Sequence, residues 1–394
     1  MTASDPIVIT AIARTPMAGF QGDFAALTAS ELGATAIKAA MERSQLKPED
    51  IDEVLMGCVL PAGQGQAPAR QASLKAGLPN TTPCTTVNKM CGSGMKTVMQ
   101  MADAINAGSV TIGIAGGMES MTNAPYILPK MRSGARLGHA EAKDHMFLDG
   151  LEDAYDGGLM GTFAELCADK YQFTREAQDE YALTSLQRAL DAQKANAFEG
   201  EIAPVTVKTR KGETVFEADE QPGKARPDKI PSLRPVFRKD GTVTAANASS
   251  ISDGAAAIVL MRQSEADKRG IKPLARLVGQ TQNAHEPAWF TTAPVGAMEK
   301  LFQQTGWSDK DVDLYEINEA FAVVPMAAMK ELGLSHDKVN VNGGATALGH
   351  PIGASGARII VTLINALQKR GGKRGMASLC IGGGEATAVA IELM

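Results

Sequence analysis

No apolar stretch in this sequence approaches the roughly 20 residues that a helix needs to cross a bilayer, so a membrane-spanning chain is not expected. Excess positive charge is also missing. Lys and Arg number 39 against 44 Asp and Glu, and a net charge of -5 argues against general nucleic-acid binding. The five cysteines, Cys58, Cys84, Cys91, Cys167 and Cys380, are odd in number and include no Cys-x-x-Cys pair. Neither a disulfide framework nor a zinc site is indicated, and reduced thiols are expected. Met1 to Asp5 lead directly into a strand-like Ile7-Val8-Ile9-Thr10 without the basic-then-apolar order of a signal peptide, so the cytoplasm is the expected compartment. Phosphate-binding loops are incomplete too: Gly92-x-Gly94 and Gly353-x-x-Gly356 finish neither the dinucleotide nor the P-loop pattern.

What is present is a chain of 394 residues, 44% of them hydrophobic, long enough for two or more domains with sizeable cores. Strand-like runs alternate with helical ones at both ends, the pattern of a layered α/β protein. The middle, residues 121–240, is richer in charge, Gly and Pro and reads as an inserted domain. Its clearest helix covers 174–192, with Thr174 as cap and Glu176 in the first turn. The two ends resemble each other. Leu46-Lys47-Pro48-Glu49-Asp50-Ile51-Asp52 has a counterpart in Trp307-Ser308-Asp309-Lys310-Asp311-Val312-Asp313, and Ile114-Ala115-Gly116-Gly117-Met118-Glu119 parallels Cys380-Ile381-Gly382-Gly383-Gly384-Glu385. Two matches at nearly one offset suggest a duplicated unit.

Cys84-Thr85-Thr86-Val87 is β-prone, and Met95, Val98, Met99, Ala102 and Ile105 follow helical spacing until Gly108. Cys91 therefore falls at a helix N-terminus, where the dipole and free N–H groups favour the nucleophilic thiolate. Gly92 and Gly94 leave room for a substrate; the plainer alternative is a small buried cysteine. Cys58, Cys84 and Cys167 lack this setting and read as structural. His350 precedes Pro351, which keeps it in the loop before a helix with an apolar stripe of Ile359, Ile360, Leu363, Ile364 and Leu367. A loop histidine among small residues can act as a base. Asn318 follows a strand-like Val312-Asp313-Leu314-Tyr315-Glu316-Ile317 and could hold a water or cap the next helix. Cys380 ends another strand, before the turn Gly382 to Gly384. All four groups fall at strand ends, where α/β proteins build sites.

The chain resembles the thiolase family over nearly its whole length. The matching stretches are Val87-Asn88-Lys89-Met90-Cys91-Gly92-Ser93-Gly94, Gly116-Gly117-Met118-Glu119-Ser120-Met121, Asn318-Glu319-Ala320-Phe321, residues 343–358 and Cys380-Ile381-Gly382-Gly383-Gly384. Val243-Thr244-Ala245-Ala246-Asn247-Ala248-Ser249, followed by Ser252-Asp253-Gly254-Ala255-Ala256, also fits. The resemblance implies a thiolase fold: two βαβαβαββ halves in a five-layered αβαβα sandwich, with residues 1–120 and 241–270 in the first half, 121–240 as loop domain and 271–394 in the second half. It implies the condensation of two acetyl-CoA to acetoacetyl-CoA and CoA. Cys91 would carry the acetyl group, His350 would be the base and Cys380 the acid/base at the acyl α-carbon. One oxyanion hole would use His350 and a water on Asn318, the other the N–H groups of Cys91 and Gly382.

The same resemblance places Ser249 on the pantetheine arm and Arg226 at the nucleotide end, although the nine Lys and Arg of residues 208–239 could equally be a solvated face. Met160, Phe290 and Phe321 would line the acyl and pantetheine pocket. Coenzyme A thioesters enter as substrates, and neither a cofactor nor a metal is implied. Many short-chain members have His where Leu159 stands and Met where Phe290 stands; the Phe resembles the mitochondrial acetoacetyl-CoA type. The tyrosine behind that type's potassium site is missing between Phe216 and Arg226, so potassium dependence is not expected. A homo-oligomer, dimer or tetramer, is implied, with residues 125–145 as the tether. Alternatives are a broad-range 3-ketoacyl-CoA thiolase of fatty-acid degradation, a ketoacyl synthase, disfavoured by Cys380, and a catalytically silent scaffold.

Overall fold

The computed structural model describes residues 5–209 and 212–394. The first half contributes β1 (Ile7–Arg14), β2 (Glu53–Gly57), β3 (Cys84–Val87), β4 (Ile112–Ser120) and β5 (Ser252–Arg262). The second half contributes β6 (Ala275–Ala284), β7 (Leu314–Ile317), β8 (Arg374–Ile381) and β9 (Glu385–Leu393). The strands run β7-β8-β9-β6-β1-β5-β4-β2-β3. The strands of the two halves meet where β1 pairs with β6, at Val8 with Arg276 and Ile9 with Ala275. Within each half the pairing is the same, parallel for β3-β2-β4 and β7-β8 and antiparallel for β4-β5-β1 and β8-β9-β6.

The third strand of the second half is reduced to one parallel bridge, Val339 to Tyr315. Asn340, next in the chain, adopts a left-handed φ of 49° that ends extended structure. Its side chain continues the ladder instead, accepting from the Ile317 N–H at 2.9 Å and donating to the Ile317 carbonyl at 2.8 Å.

Five layers follow from which faces are apolar. The principal helices are α1 (Ala29–Ser44), α2 (Pro68–Lys75), α3 (Ser93–Ala107), α4 (Met160–Tyr171), α5 (Arg175–Lys194), α6 (Ala293–Thr305), α7 (Val323–Leu332) and α8 (Ile352–Arg370). Helices α3 and α8 lie between the sheets: Met95, Val98, Met99 and Ile105 of α3 share one core with Ile359, Ile360, Leu363 and Ile364 of α8 and with Ile9, Ile258, Leu379 and Val389 of the strands. Helix α1 covers the outer face of the first sheet through Leu32 and Ile37, and α6 and α7 cover the second through Met298, Leu301, Val323 and Val324.

Helix α8 is buried from Ile352 to Leu367 on every side, so its polar residues need partners inside the protein. Arg358 meets Glu316 at 3.3 Å; Thr362 and Asn365 donate to Glu201 at 3.2 and 2.9 Å. Glu201 also binds the fully buried Arg14, whose other partner is Asp219. The middle segment is thereby tied to both halves, and removing one member of such a buried network costs about 3–5 kcal/mol. As expected, Thr174 caps the long helix of this segment, its Oγ1 accepting from the Ala177 N–H at 3.2 Å.

One detail of the internal repeat differs from the sequence alignment. Asp52 accepts from the N–H groups of Thr111 and Ile112, and Asp313 accepts in the same way from Lys373 and Arg374. Ile112 therefore corresponds to Arg374, and the match of Ile114 with Cys380 is four residues out of register. Its glycines differ in kind: Gly116 and Gly117 lie inside β4, whereas Gly382 to Gly384 turn between β8 and β9.

The two core helices cross close to their N-termini on glycine. A Cβ on Gly94 would fall 2.8 Å from the Ala357 nitrogen and 3.0 Å from the Gly353 oxygen, and one on Gly356 would fall 2.3 Å from the Met95 nitrogen. Because the obstacles are backbone, Gly356→Ala is expected to destabilise the protein by about 1–3 kcal/mol, read as a lower urea midpoint. Gly223→Ala, with nothing within 4 Å of the added carbon, should stay within ~0.5 kcal/mol.

Candidate active site

Strand β3 ends at Val87 and α3 begins at Ser93, so Asn88 to Gly92 must turn the chain in a tight elbow. Met90 takes a φ of 47°, uncommon for a residue with a side chain. Side chains hold it there: Asn88 Oδ1 accepts from the Met90 N–H at 2.9 Å, the Lys89 N–H donates to Ser93 Oγ at 2.8 Å, and Ser93 Oγ donates to the Met90 carbonyl at 2.6 Å. Cys91 stands at the tip, partly exposed, just before the helix as its spacing indicated.

Facing the elbow is the turn from β8 to β9. The Cys91 thiol lies against the backbone N–H groups of Gly382 and of Cys91 itself. Cys380 is buried beside it, close enough for charge on Cys91 to oppose its ionisation. Burial is the largest influence on both thiols, pushing Cys91 up to about 11 and Cys380 well above the ordinary range. Burial thus works against the thiolate that the helix N-terminus favours, and the two N–H groups offset part of it.

His350 sits in the loop before α8, where Gly349 has a φ of 106° and packs so closely on Ser252 that a Cβ would fall 2.3 Å from Ser252 Oγ. The imidazole is buried, and burial first, with the Arg358 cation second, lowers it to about 3. Ser355 Oγ donates to the Pro351 carbonyl at 3.0 Å and lies 2.6 Å from His350 Nδ1. With the serine proton committed, Nδ1 carries the hydrogen and Nε2 keeps a free lone pair. That lone pair faces Asn318 Nδ2 at 3.5 Å. Asn318 does not cap a helix, since α7 begins only at Val323; its Oδ1 is buried without a partner among the described residues.

Crossing at glycine places the Cys91 elbow and the His350 loop at one end of α3 and α8. Glu119 braces this end: its carboxylate accepts from Val59 and Gly353 at 2.9 Å and from Leu60 at 3.2 Å, with the Cys58 thiol donating at 3.4 Å. Burial nevertheless raises it to about 7.

An apolar wall lies beside the thiols. Met160 Sδ would be 3.5 Å from a Cβ on Gly382. Phe290 is buried edge-on to Phe163 and Phe321, centroids 6.4 Å apart in each case, and Phe321 is edge-on to Phe237 at 6.0 Å. Ser249 is half-buried next to Phe321, its N–H donating to the Ala320 carbonyl at 3.0 Å. Arg226 stands apart, exposed, 3.8 Å from Asp228. Among the described residues no group of three or more His, Cys, Asp or Glu is placed to hold a metal ion.

Family models for the thiolase N-terminal domain and C-terminal domain match residues 7–264 and 271–393. The chain belongs to the thiolase family. It is 53% identical over 388 residues to an acetyl-CoA acetyltransferase of Chromobacterium violaceum, covering 98% of this chain and 99% of that one. A relative of the same name from Schizosaccharomyces pombe is 49% identical with complete coverage of both chains. Among solved structures, the acetyl-CoA acetyltransferase of Bacillus anthracis superposes with a TM-score of 0.97 at 42% identity and full coverage of both chains. A thiolase of Ascaris suum in complex with coenzyme A gives 0.94 at 42% identity, covering 99% of this chain and 100% of that one.

In this thiolase the sequence reading missed Ser355, Met90 and Phe237. Ser355 carried a signal, a hydroxyl in the first helical turn after His350. Phe237 was one aromatic in a charged, proline-rich stretch, and the backbone of Met90 had no signal at all.

A thiol at about 11 beside an imidazole at about 3 leaves both neutral between about pH 5 and 9. The thiol ionises as pH rises, so alkylation of Cys91 by iodoacetamide should accelerate about tenfold per unit from pH 7 to 9. A plateau near neutrality would instead mark a preformed thiolate–imidazolium pair.

Proposed function

We propose that this thiolase is an acetyl-CoA C-acetyltransferase, interconverting two acetyl-CoA with acetoacetyl-CoA and CoA. The observation that carries the reading is the Cys91 thiol set against the Gly382 N–H with Cys380 beside it. Full-length relatives bearing that name at about half identity support the substrate class. His350 Nε2 takes the Cys91 proton as the sulfur attacks the thioester carbon, and returns it to the departing CoA sulfur, leaving acetyl-Cys91. The N–H groups of Cys91 and Gly382 receive the developing oxyanion on this acyl group. Cys380 then accepts the α-proton of a second acetyl-CoA, whose carbanion attacks the acetyl carbon and releases Cys91. The partnerless Oδ1 of Asn318 is suited to hold a water that, with His350, faces the second thioester oxygen. A protonated Cys380 is poised as an acid toward the enolate leaving in thiolysis; in condensation it first gives its proton to His350, which passes it to the Cys91 sulfur as the acetyl group departs.

Ser249 would meet the pantetheine arm beside Phe321, and Arg226 the nucleotide end. The reading places the enzyme in the cytoplasm, in keeping with a thiol kept reduced. It also makes the enzyme a homo-oligomer, because residues 125–145 form an exposed arm in which Leu128, Met131 and Leu137 face outward, Leu137 at 98% exposure.

Cys91→Ala is expected to abolish acetyl-enzyme formation and thiolysis, with mass spectrometry locating the acetyl group of the wild type on Cys91. Cys380→Ser should keep Cys91 acetylation while losing condensation. Equal loss of both half-reactions would remove the division of labour.

Phe290 closes the acyl end of the pocket with a rigid ring held by Phe163 and Phe321. Each further methylene gains only ~0.8 kcal/mol of burial, whereas forcing it against a packed ring costs about 1–3 kcal/mol. Activity should fall steeply beyond six-carbon 3-ketoacyl-CoA, and Phe290→Ala should extend the accepted length. Equal kcat/KM for acetoacetyl-CoA and 3-ketohexadecanoyl-CoA would favour a broad-range thiolase.

A further inference from the structure

Lys89 and Glu385 have no part in the chemistry above, yet they flank it on both sides. Lys89 lies two residues before Cys91, and Glu385 three residues after Gly382. Their side chains form an ion pair across 296 residues of sequence, 20% and 39% exposed. The elbow's other side-chain bonds run within it, through Asn88, Met90 and Ser93, or to the first half, where Asn88 Nδ2 donates to the Val59 carbonyl at 3.4 Å. Those of the opposite turn are internal to the second half: Ile381 pairs with Glu385, and the His285 N–H donates to the Gly384 carbonyl at 2.9 Å. Among the described residues, the polar links from elbow to turn are the ion pair and the contact of the thiol with the Gly382 N–H. Apolar packing supplies one more contact, Gly92 on Ile381, where a Cβ would fall 2.4 Å from Ile381 Cδ1.

We propose that Lys89 and Glu385 are a positioning pair that holds the Gly382 N–H at donating distance from the oxygen of an acyl group on Cys91. The turn carrying this donor contains Gly383 and Gly384 at φ of 91° and 87°, a backbone with little side-chain restraint of its own. Glu385 is the first residue after it with a side chain able to reach the elbow, and Lys89 is the elbow's only charged residue. An oxyanion donor acts only within a narrow range of distance and angle, so a tether at this point governs its strength. The pair carries no net charge, and the proposed effect is geometric.

The inference rests on Cys91 as nucleophile, and its test uses the full-length protein with Lys89→Met, Glu385→Gln, the two combined, and the exchanged pair Lys89→Glu with Glu385→Lys. Removing a whole oxyanion donor costs ~10²–10³ in kcat, so a loosened one should lower kcat for acetoacetyl-CoA thiolysis by about 10- to 100-fold. KM should stay within about threefold, the signature of an interaction realised in the transition state. The combined variant should be no slower than either single one, and the exchanged pair should recover about tenfold. A raised KM with kcat retained would make Lys89 a coenzyme A contact and overturn the proposal, as would additive losses or an unchanged kcat. Acylation of Cys91 by p-nitrophenyl acetate, followed as p-nitrophenolate release, needs the same N–H and no coenzyme A. The variants should slow it by a similar factor even if acetoacetyl-CoA proves not to be the substrate, and an unchanged rate would overturn the pair's role.

Discussion

Everything at the reactive end of this thiolase depends on two buried helices touching backbone to backbone. Gly94 and Gly356 make that approach possible, and Gly57 and Gly117 extend it to the strands, where an added Cβ would meet the Gly353 oxygen at 2.8 and 2.0 Å, while one on Gly353 would fall 2.5 Å from Glu119 Oε2. Side chains at these positions would hold α3 and α8 apart by the width of a methyl group. The elbow with Cys91 and the loop with His350 are rigidly attached to those helices, so the same separation would be passed directly to the site. Close packing of this kind transmits strain because interiors have little free volume to absorb it.

Sandwiching α8 between two sheets has an electrostatic price as well as a geometric use. Glu201, Glu316 and Arg14 lie buried around it and its own Arg358, and Glu316 is raised to about 8 while Arg358 is lowered by its burial. The nearby cation disfavours a second positive charge on His350, and burial disfavours any charge on Cys91. Both influences favour a neutral thiol and a neutral imidazole before the reaction, with charge developing as bonds rearrange. In low dielectric, fixed N–H dipoles act most strongly on such transient charge.

Much of this was legible from local sequence. The apolar periodicity of Met95 to Ile105 marked a buried helix face, Pro351 marked the boundary behind His350, and Thr174 marked a cap, because each is a short-range rule. The register of the repeat was not legible: glycine pairs look alike in sequence whether they sit in a strand or in a turn, and only the Asp52 and Asp313 anchors distinguish them. The influence of burial on Cys91 was hidden for a related reason. Helix position is written in neighbouring residues, whereas desolvation is supplied by β8, β9 and the loop from Cys58 to Leu60, far along the chain. Asn318 read as a possible cap because the delay to Val323 comes from the bridge between Ala248 and Phe321, another distant pairing.

Strand β5 lies between β1 and β4, although some 130 residues of middle segment precede it in the chain. The first sheet is thus open at its centre until residue 262 has been made, although Glu201 and Asp219, the partners of Arg14, come earlier in the chain. At about 5–20 residues per second a ribosome takes roughly 7 to 28 s to pass from the end of β4 to the end of β5. For that time the edges of β1 and β4 that β5 will fill are unpaired, the kind of surface on which a growing chain can pair wrongly before its own strand arrives.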